Sequence, residues 1–134
     1  MIYSCKASST SKEKATISIK KSEIEFGISA DKGDLLSSPA ELFLGSISAC
    51  ILKNVERLSS IMNFEYKKAE IEVKGTRLEK PPRMDEIKYE LLIYTKSPTI
   101  NVHLLQMNIE KFGTIVNTVK KSCLIQGEVK IIET

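Results

Sequence analysis

A single long helical pattern divides this chain into two stretches of alternating residues. From Pro39 to Met62, the residues Leu44, Ile47, Ile51, Val55, Leu58 and Met62 recur every three or four positions. At about 100° per residue they fall in one narrow stripe, which must pack on another layer. Ser38 and Glu41 are spaced as a capping box, and Pro39 fits the first helical position, where its missing N–H costs nothing. Cys50 lies about 100° round the helix from Ile51, on a flank shared with Phe43, Asn54 and Ile61. Arg57 follows two turns on, nearly aligned with Cys50. Gly45, Ser46 and Ala49 make a separate surface of small residues. A helix with a core stripe and a second small-lined surface is expected to have two partners.

Outside the helix the period drops to two. Residues 2–8 read as a weak first strand. Ala15, Ile17 and Ile19 alternate with Thr16, Ser18 and Lys20, and Ile24 and Phe26 alternate with Glu23 and Glu25. Lys20-Lys21-Ser22 between them reads as a hairpin, and 30–38 as a loop. Beyond the helix, Ala69, Ile71 and Val73 face one way, as do Ile87, Tyr89, Leu91 and Ile93, with a Pro81-Pro82 turn between the two runs. One dry and one wet face per strand implies an antiparallel sheet covered on one side. A second helical region spans about Asn101 to Lys121, with Asn101 as cap and Val102, Leu105, Ile109 and Phe112 as its apolar face. Gly113 is expected to end that helix and Thr114 to cap a continuation through Val119. Gly127 then leads into Val129 and Ile131. The expected fold is α+β: an antiparallel sheet with two long helices on one face. No repeat or linker is visible, so 1–134 reads as a single domain.

Composition removes several function classes. Charge is mildly basic, +3, and the pairs Lys20-Lys21, Lys67-Lys68 and Lys120-Lys121 are spread out rather than blocked. Aromatics are only 6%, so the basic stripe with interleaved rings of a nucleic-acid reader is missing. Three unevenly spaced cysteines and the lone His103 suit neither a disulfide framework nor a zinc site, and no metal or cofactor is expected. His103 reads as a surface or helix-start residue, and Cys5 as a small packed hydrophobe. No apolar run approaches the roughly 18 residues of a membrane span, and Met1 to Lys6 lack the features of a signal peptide. A cytoplasmic location without membrane attachment is the expectation.

The run Ser38-Pro39-Ala40-Glu41-Leu42-Phe43-Leu44-Gly45-Ser46-Ile47-Ser48-Ala49-Cys50 resembles the reactive-cysteine segment of the osmotically inducible protein C / organic hydroperoxide resistance (OsmC/Ohr) family. The order of elements over nearly the whole chain is similar too, including the later segment Gly113-Thr114-Ile115-Val116-Asn117-Thr118. The resemblance implies an intertwined homodimer with the long helices central and the reactive thiols at the subunit interface. It also implies that Cys50 attacks the O–O bond of a small organic hydroperoxide and becomes a sulfenic acid. Thiolate is the nucleophile, and a free thiol with a pKa near 8.5 is only a few per cent ionised at neutral pH, so such a site needs a positive partner.

The chain also departs from the family pattern. The resolving cysteine of the family aligns on Gly113, so an external thiol reductant has to take its place. Cys123 stands ten residues further on, about 15 Å along a helix. The family acid falls on Ala40, with Glu41 in the commonly acidic next position, nine residues from Cys50 and on the opposite helix side. Glu41 is therefore either the acid beside the thiol, reached across a dimer interface, or simply half of the capping box. No arginine precedes Arg57; Lys12 or Lys14 brings a charge but not a guanidinium fork. Two functions remain open. One is a one-cysteine, thiol-dependent hydroperoxide reductase or sensor with Cys50 reactive and Glu41 assisting. The other is a non-catalytic dimer that binds a small apolar ligand at the subunit interface, with Cys50 structural.

Overall fold

The computed structural model describes all residues, 1–134. The chain forms two compact units, Met1–Phe43 and Leu44–Thr134. The division falls inside the first long helix rather than at a flexible linker.

The first unit holds three antiparallel strands in sequence order, β1 (Lys6–Thr10), β2 (Lys14–Ile19) and β3 (Ser22–Phe26). Lys12 and Lys20 take positive φ, 65° and 54°, in the two tight turns that join them, as right-twisted hairpins demand. Pairing begins at Lys6↔Ser18, so the first strand starts later than the expected 2–8. Residues before it find no strand to pair with, and Cys5 is exposed rather than packed. The alternation in β2 and β3 is real, yet Ile19 and Ile24 remain 39% and 38% exposed. A short 3-10 turn, Ala30–Lys32, precedes α1 (Pro39–Ile61). At the start of α1 the Ser38 N–H donates to Glu41 Oε1 at 3.0 Å, and the Glu41 N–H donates to Ser38 Oγ at 3.2 Å. That is the reciprocal capping box read from the sequence.

The second unit contains the rest of α1, then β4 (Lys68–Glu79), β5 (Pro82–Thr95), α2 (Val102–Phe112), α3 (Thr114–Val119) and β6 (Leu124–Glu133). Its sheet has the order β4-β5-β6. β4 and β5 pair antiparallel, as expected, whereas β6 runs parallel to β5. The helices of α2 and α3 carry the chain back to the end where β5 began, and a strand entered there must run in the direction of β5. The α+β class stands; the sheet is mixed and is one of two.

The middle of the α1 stripe is buried as the periodicity requires, with Ile47, Ile51 and Val55 fully enclosed and Leu58 nearly so, while Leu44 and Met62 at the two ends of the stripe are half-buried. Ile87, Leu91 and Ile93 of β5 and Leu105 and Ile109 of α2 are likewise enclosed. Leu44 packs over Gly75, whose cross-strand neighbour is Ile87, and Glu110 of α2 bonds Tyr89 two residues further along that same face. Both helices therefore cover one face of this sheet. The opposite face is wet and carries ion pairs such as Lys74–Glu72 and Lys130–Glu90.

Tyr89 fixes how α2 meets the sheet. Its ring lies over Gly127 on β6, where a Cβ would run into it. Its hydroxyl donates to Glu110 Oε1 at 2.7 Å, and Gln106 Nε2 donates to the Gly127 carbonyl at 2.7 Å. Burial first, then the bond to Glu110, raises the pKa of the phenol far above its usual range, so Tyr89 stays a neutral hydrogen-bond donor.

Candidate functional site

Cys50 stands in the middle of α1, half-buried, with no disulfide partner. Four residues on, and so on the same helix flank, Asn54 is only 8% exposed. Both meet Gly113, the residue that separates α2 from α3. A Cβ added to Gly113 would stand 3.0 Å from Cys50 Sγ and 3.1 Å from Asn54 Nδ2. The glycine is needed here for close approach and not for an unusual backbone, since its φ of −82° and ψ of 119° suit any residue. It is C-cap of one helix and N-cap of the next in an extended conformation; Thr114 is the first residue of α3 rather than its cap. Asn101 caps α2 as expected, its side chain accepting the Leu104 N–H at 3.0 Å.

Among the residues read as functional, the fold joins Cys50 to Gly113. The Glu41 carboxylate is exposed and held by Ser38, and the backbone and side-chain bonds from Ser38 lower its pKa. Nine residues on one helix put Glu41 and Cys50 on opposite sides of it. Cys123 directs its sulfur to the Met84 carbonyl on β5, at 3.3 Å. Cys5 precedes the first strand and is exposed. Arg57 is exposed and stacks on the Phe112 ring at 5.8 Å, next in sequence to Gly113. His103 is exposed in the first turn of α2. No group of three or more His, Cys, Asp or Glu side chains is placed to hold a metal ion, and no helix is long and apolar enough to cross a membrane. Asn54 is the residue whose part at this site the sequence reading missed. Its only signal was the four-residue spacing from Cys50.

The chemistry available at this locus is that of one thiol beside one amide and one bare backbone. Position 113 has a particular relation to the sulfur. A disulfide with an S–S bond of about 2.05 Å places the far sulfur about 3 Å from the near Cβ, and the Gly113 Cβ position is 3.0 Å from Cys50 Sγ. The Cβ position at 113 thus meets the Cβ–sulfur distance that a disulfide to Cys50 requires.

Comparison with known proteins agrees with this layout. The description "OsmC-like protein" belongs to the family whose profile matches residues 30–130. An OsmC-like protein from Mycoplasma pneumoniae superposes with a TM-score of 0.87 at 15% identity, with 99% of each chain covered. A hypothetical protein from Aquifex aeolicus VF5 gives a TM-score of 0.77 at 24% identity, again over 99% of each chain. An organic hydroperoxide resistance protein from Elizabethkingia anophelis gives 0.70 at 13% identity, covering 100% of this chain and 99% of that one. No curated protein matches in sequence. With the cysteine helix, the glycine pressed against its sulfur and the family profile spanning 30–130 in agreement, the chain belongs to the OsmC-like family.

Proposed function

We propose that this OsmC-like chain is a one-cysteine thiol protein that reduces or senses small organic hydroperoxides through Cys50. The observation that carries the reading is the contact of Gly113 with the Cys50 sulfur. In support, the position that aligns with the family's second cysteine borders the Cys50 sulfur and holds no thiol. The hydroperoxide-resistance name of the Elizabethkingia relative supplies the substrate class.

In the proposed reaction the Cys50 thiolate attacks the terminal oxygen of the hydroperoxide. An S–O bond forms as the O–O bond breaks, the sulfur gives up two electrons, and the departing alkoxide takes a proton to leave as an alcohol. An external thiol then attacks the sulfenic sulfur and expels water, giving a mixed disulfide. A second external thiol frees Cys50 and departs with the first as a disulfide. This recycling suits a cytoplasmic pool of reduced thiols. The reading takes residues 1–134 as one functional domain working as a homodimer. Glu41, on the far side of its own helix, reaches a thiolate only across that dimer.

Dimedone trapping after treatment with an organic hydroperoxide, followed by peptide mapping, tests the proposal. Access alone favours Cys5, which is exposed, over half-buried Cys50. Preferential labelling of Cys50, with progress to sulfinic acid under excess peroxide, is the expected result. Labelling confined to Cys5, or equal at both, hands the site to the alternative, an interface that binds a small apolar ligand.

A further inference from the structure

Asn54 is an enclosed polar side chain with no partner in its own chain. It is 8% exposed, and its amide makes no hydrogen bond to any other residue. No fully sealed side-chain nitrogen or oxygen lacks a partner, so the amide keeps a narrow opening to solvent. An amide left unpaired in such a place costs stability, and a leucine of similar size would avoid that cost. The side chain is also aimed at the reactive locus. Its Nδ2 and the Cys50 sulfur touch the same face of Gly113, at 3.1 and 3.0 Å from one point, so they stand no more than about 6 Å apart. An oxygen approaching that sulfur from the Asn54 side, about 3 Å from it, comes within the 2.7–3.2 Å reach of an amide donor.

We propose that the Asn54 amide donates a hydrogen bond to the oxygen that Cys50 takes from a hydroperoxide. It orients the terminal peroxide oxygen toward the sulfur and then holds the oxygen of the sulfenic acid. Gly113 leaves open the space that the amide and the sulfur both border, since its Cβ position lies 3.1 Å from one and 3.0 Å from the other. The inference rests on the hydroperoxide reading and adds a donor to it. A reacting atom needs a nucleophile and a donor about 3 Å away on either side, and here the donor is supplied from the same helix flank, one turn on.

The test compares two reagents on the intact protein and on Asn54→Leu and Asn54→Ala. Oxidation by an organic hydroperoxide transfers an oxygen, whereas alkylation by iodoacetamide needs only an accessible thiolate. Losing one neutral hydrogen bond corresponds to a change on the order of tenfold. Cys50 oxidation is therefore expected to slow about tenfold in both variants, with alkylation changed by less than about twofold. Asn54→Leu is also expected to melt a few degrees higher, as the unpaired amide is gone; Asn54→Ala carries the kinetic comparison if the leucine crowds Gly113. Unchanged oxidation overturns the proposal. Oxidation and alkylation slowed equally overturn it as well, because Asn54 then acts on the thiol or on access to it. If Cys50 of the natural chain resists hydroperoxide while alkylating normally, the hydroperoxide reading itself fails, and the inference fails with it.

Discussion

At the scale of single residues, Gly113 bounds the space at the Cys50 sulfur. The contact is tight in three directions, since a Cβ there would also lie 3.2 Å from the Ile109 carbonyl. A methyl group brings only crowding, but a cysteine turns the 3.0 Å approach into bonding geometry. Gly113→Cys is expected to form a disulfide with Cys50 on peroxide treatment and to turn over faster with a dithiol reductant. Non-reducing peptide mapping detects the bond, and Cys123→Ser should change neither variant, because that sulfur is engaged at Met84. A Cys50–Cys123 disulfide in the natural chain would show that the loop after α3 opens. The placement of position 113 at the sulfur was legible from the family-like segment. The role of Asn54 was not, because spacing puts a residue on a flank without telling which neighbour the flank will meet.

At the scale of elements, the start of α1 is a local device whose parts lie within four residues. Local parts are what a sequence displays best, and the Ser38–Glu41 capping box was read correctly for that reason. The folded state lowers the pKa of Glu41 below its ordinary value near 4.5, through bonds from Ser38. A group with a lowered folded pKa contributes stability above its unfolded value, and that contribution is lost as pH falls through the folded value. The natural chain is therefore expected to melt above Glu41→Gln at neutral pH, with the gap closing as pH drops below about 4.5. Ser38→Ala should lower stability by roughly 1 kcal/mol. Thermal melts across pH check both, and a gap that stays constant as pH falls ever further below about 4.5 would show that the carboxylate is not what matters. Glu41→Gln also separates the cap from chemistry: unchanged Cys50 oxidation leaves Glu41 as a helix cap alone.

At the scale of the whole molecule, apolar side chains are left in water on both units. Ile19 and Ile24 on the first sheet, and Ile61, Met107, Phe112 and Leu124 on the second unit, are all more than a third exposed. So are Gly45, Ser46 and Ala49, the small-residue surface of α1. The dimeric reading expects a second copy of the chain to cover such residues. Light scattering at micromolar concentration should give about 30 kDa, twice the 15.0 kDa chain; a monomer would count against the dimeric reading. By itself the sequence determined the helix stripe, the caps at Ser38–Glu41 and Asn101, the Lys20-Lys21 hairpin and the alternating faces, since each is set by neighbours within a few residues. It also pointed to the family, through the segment around Cys50 together with the order of elements along the chain. Tertiary structure alone decided that β6 runs parallel to β5, because alternation reports which face is dry and says nothing of direction. It alone decided that the strands divide into two sheets, that the first strand begins only where a partner strand is available, and that Gly113 presses on Cys50 and Asn54. Those outcomes depend on contacts between residues far apart in the chain, which no local pattern encodes.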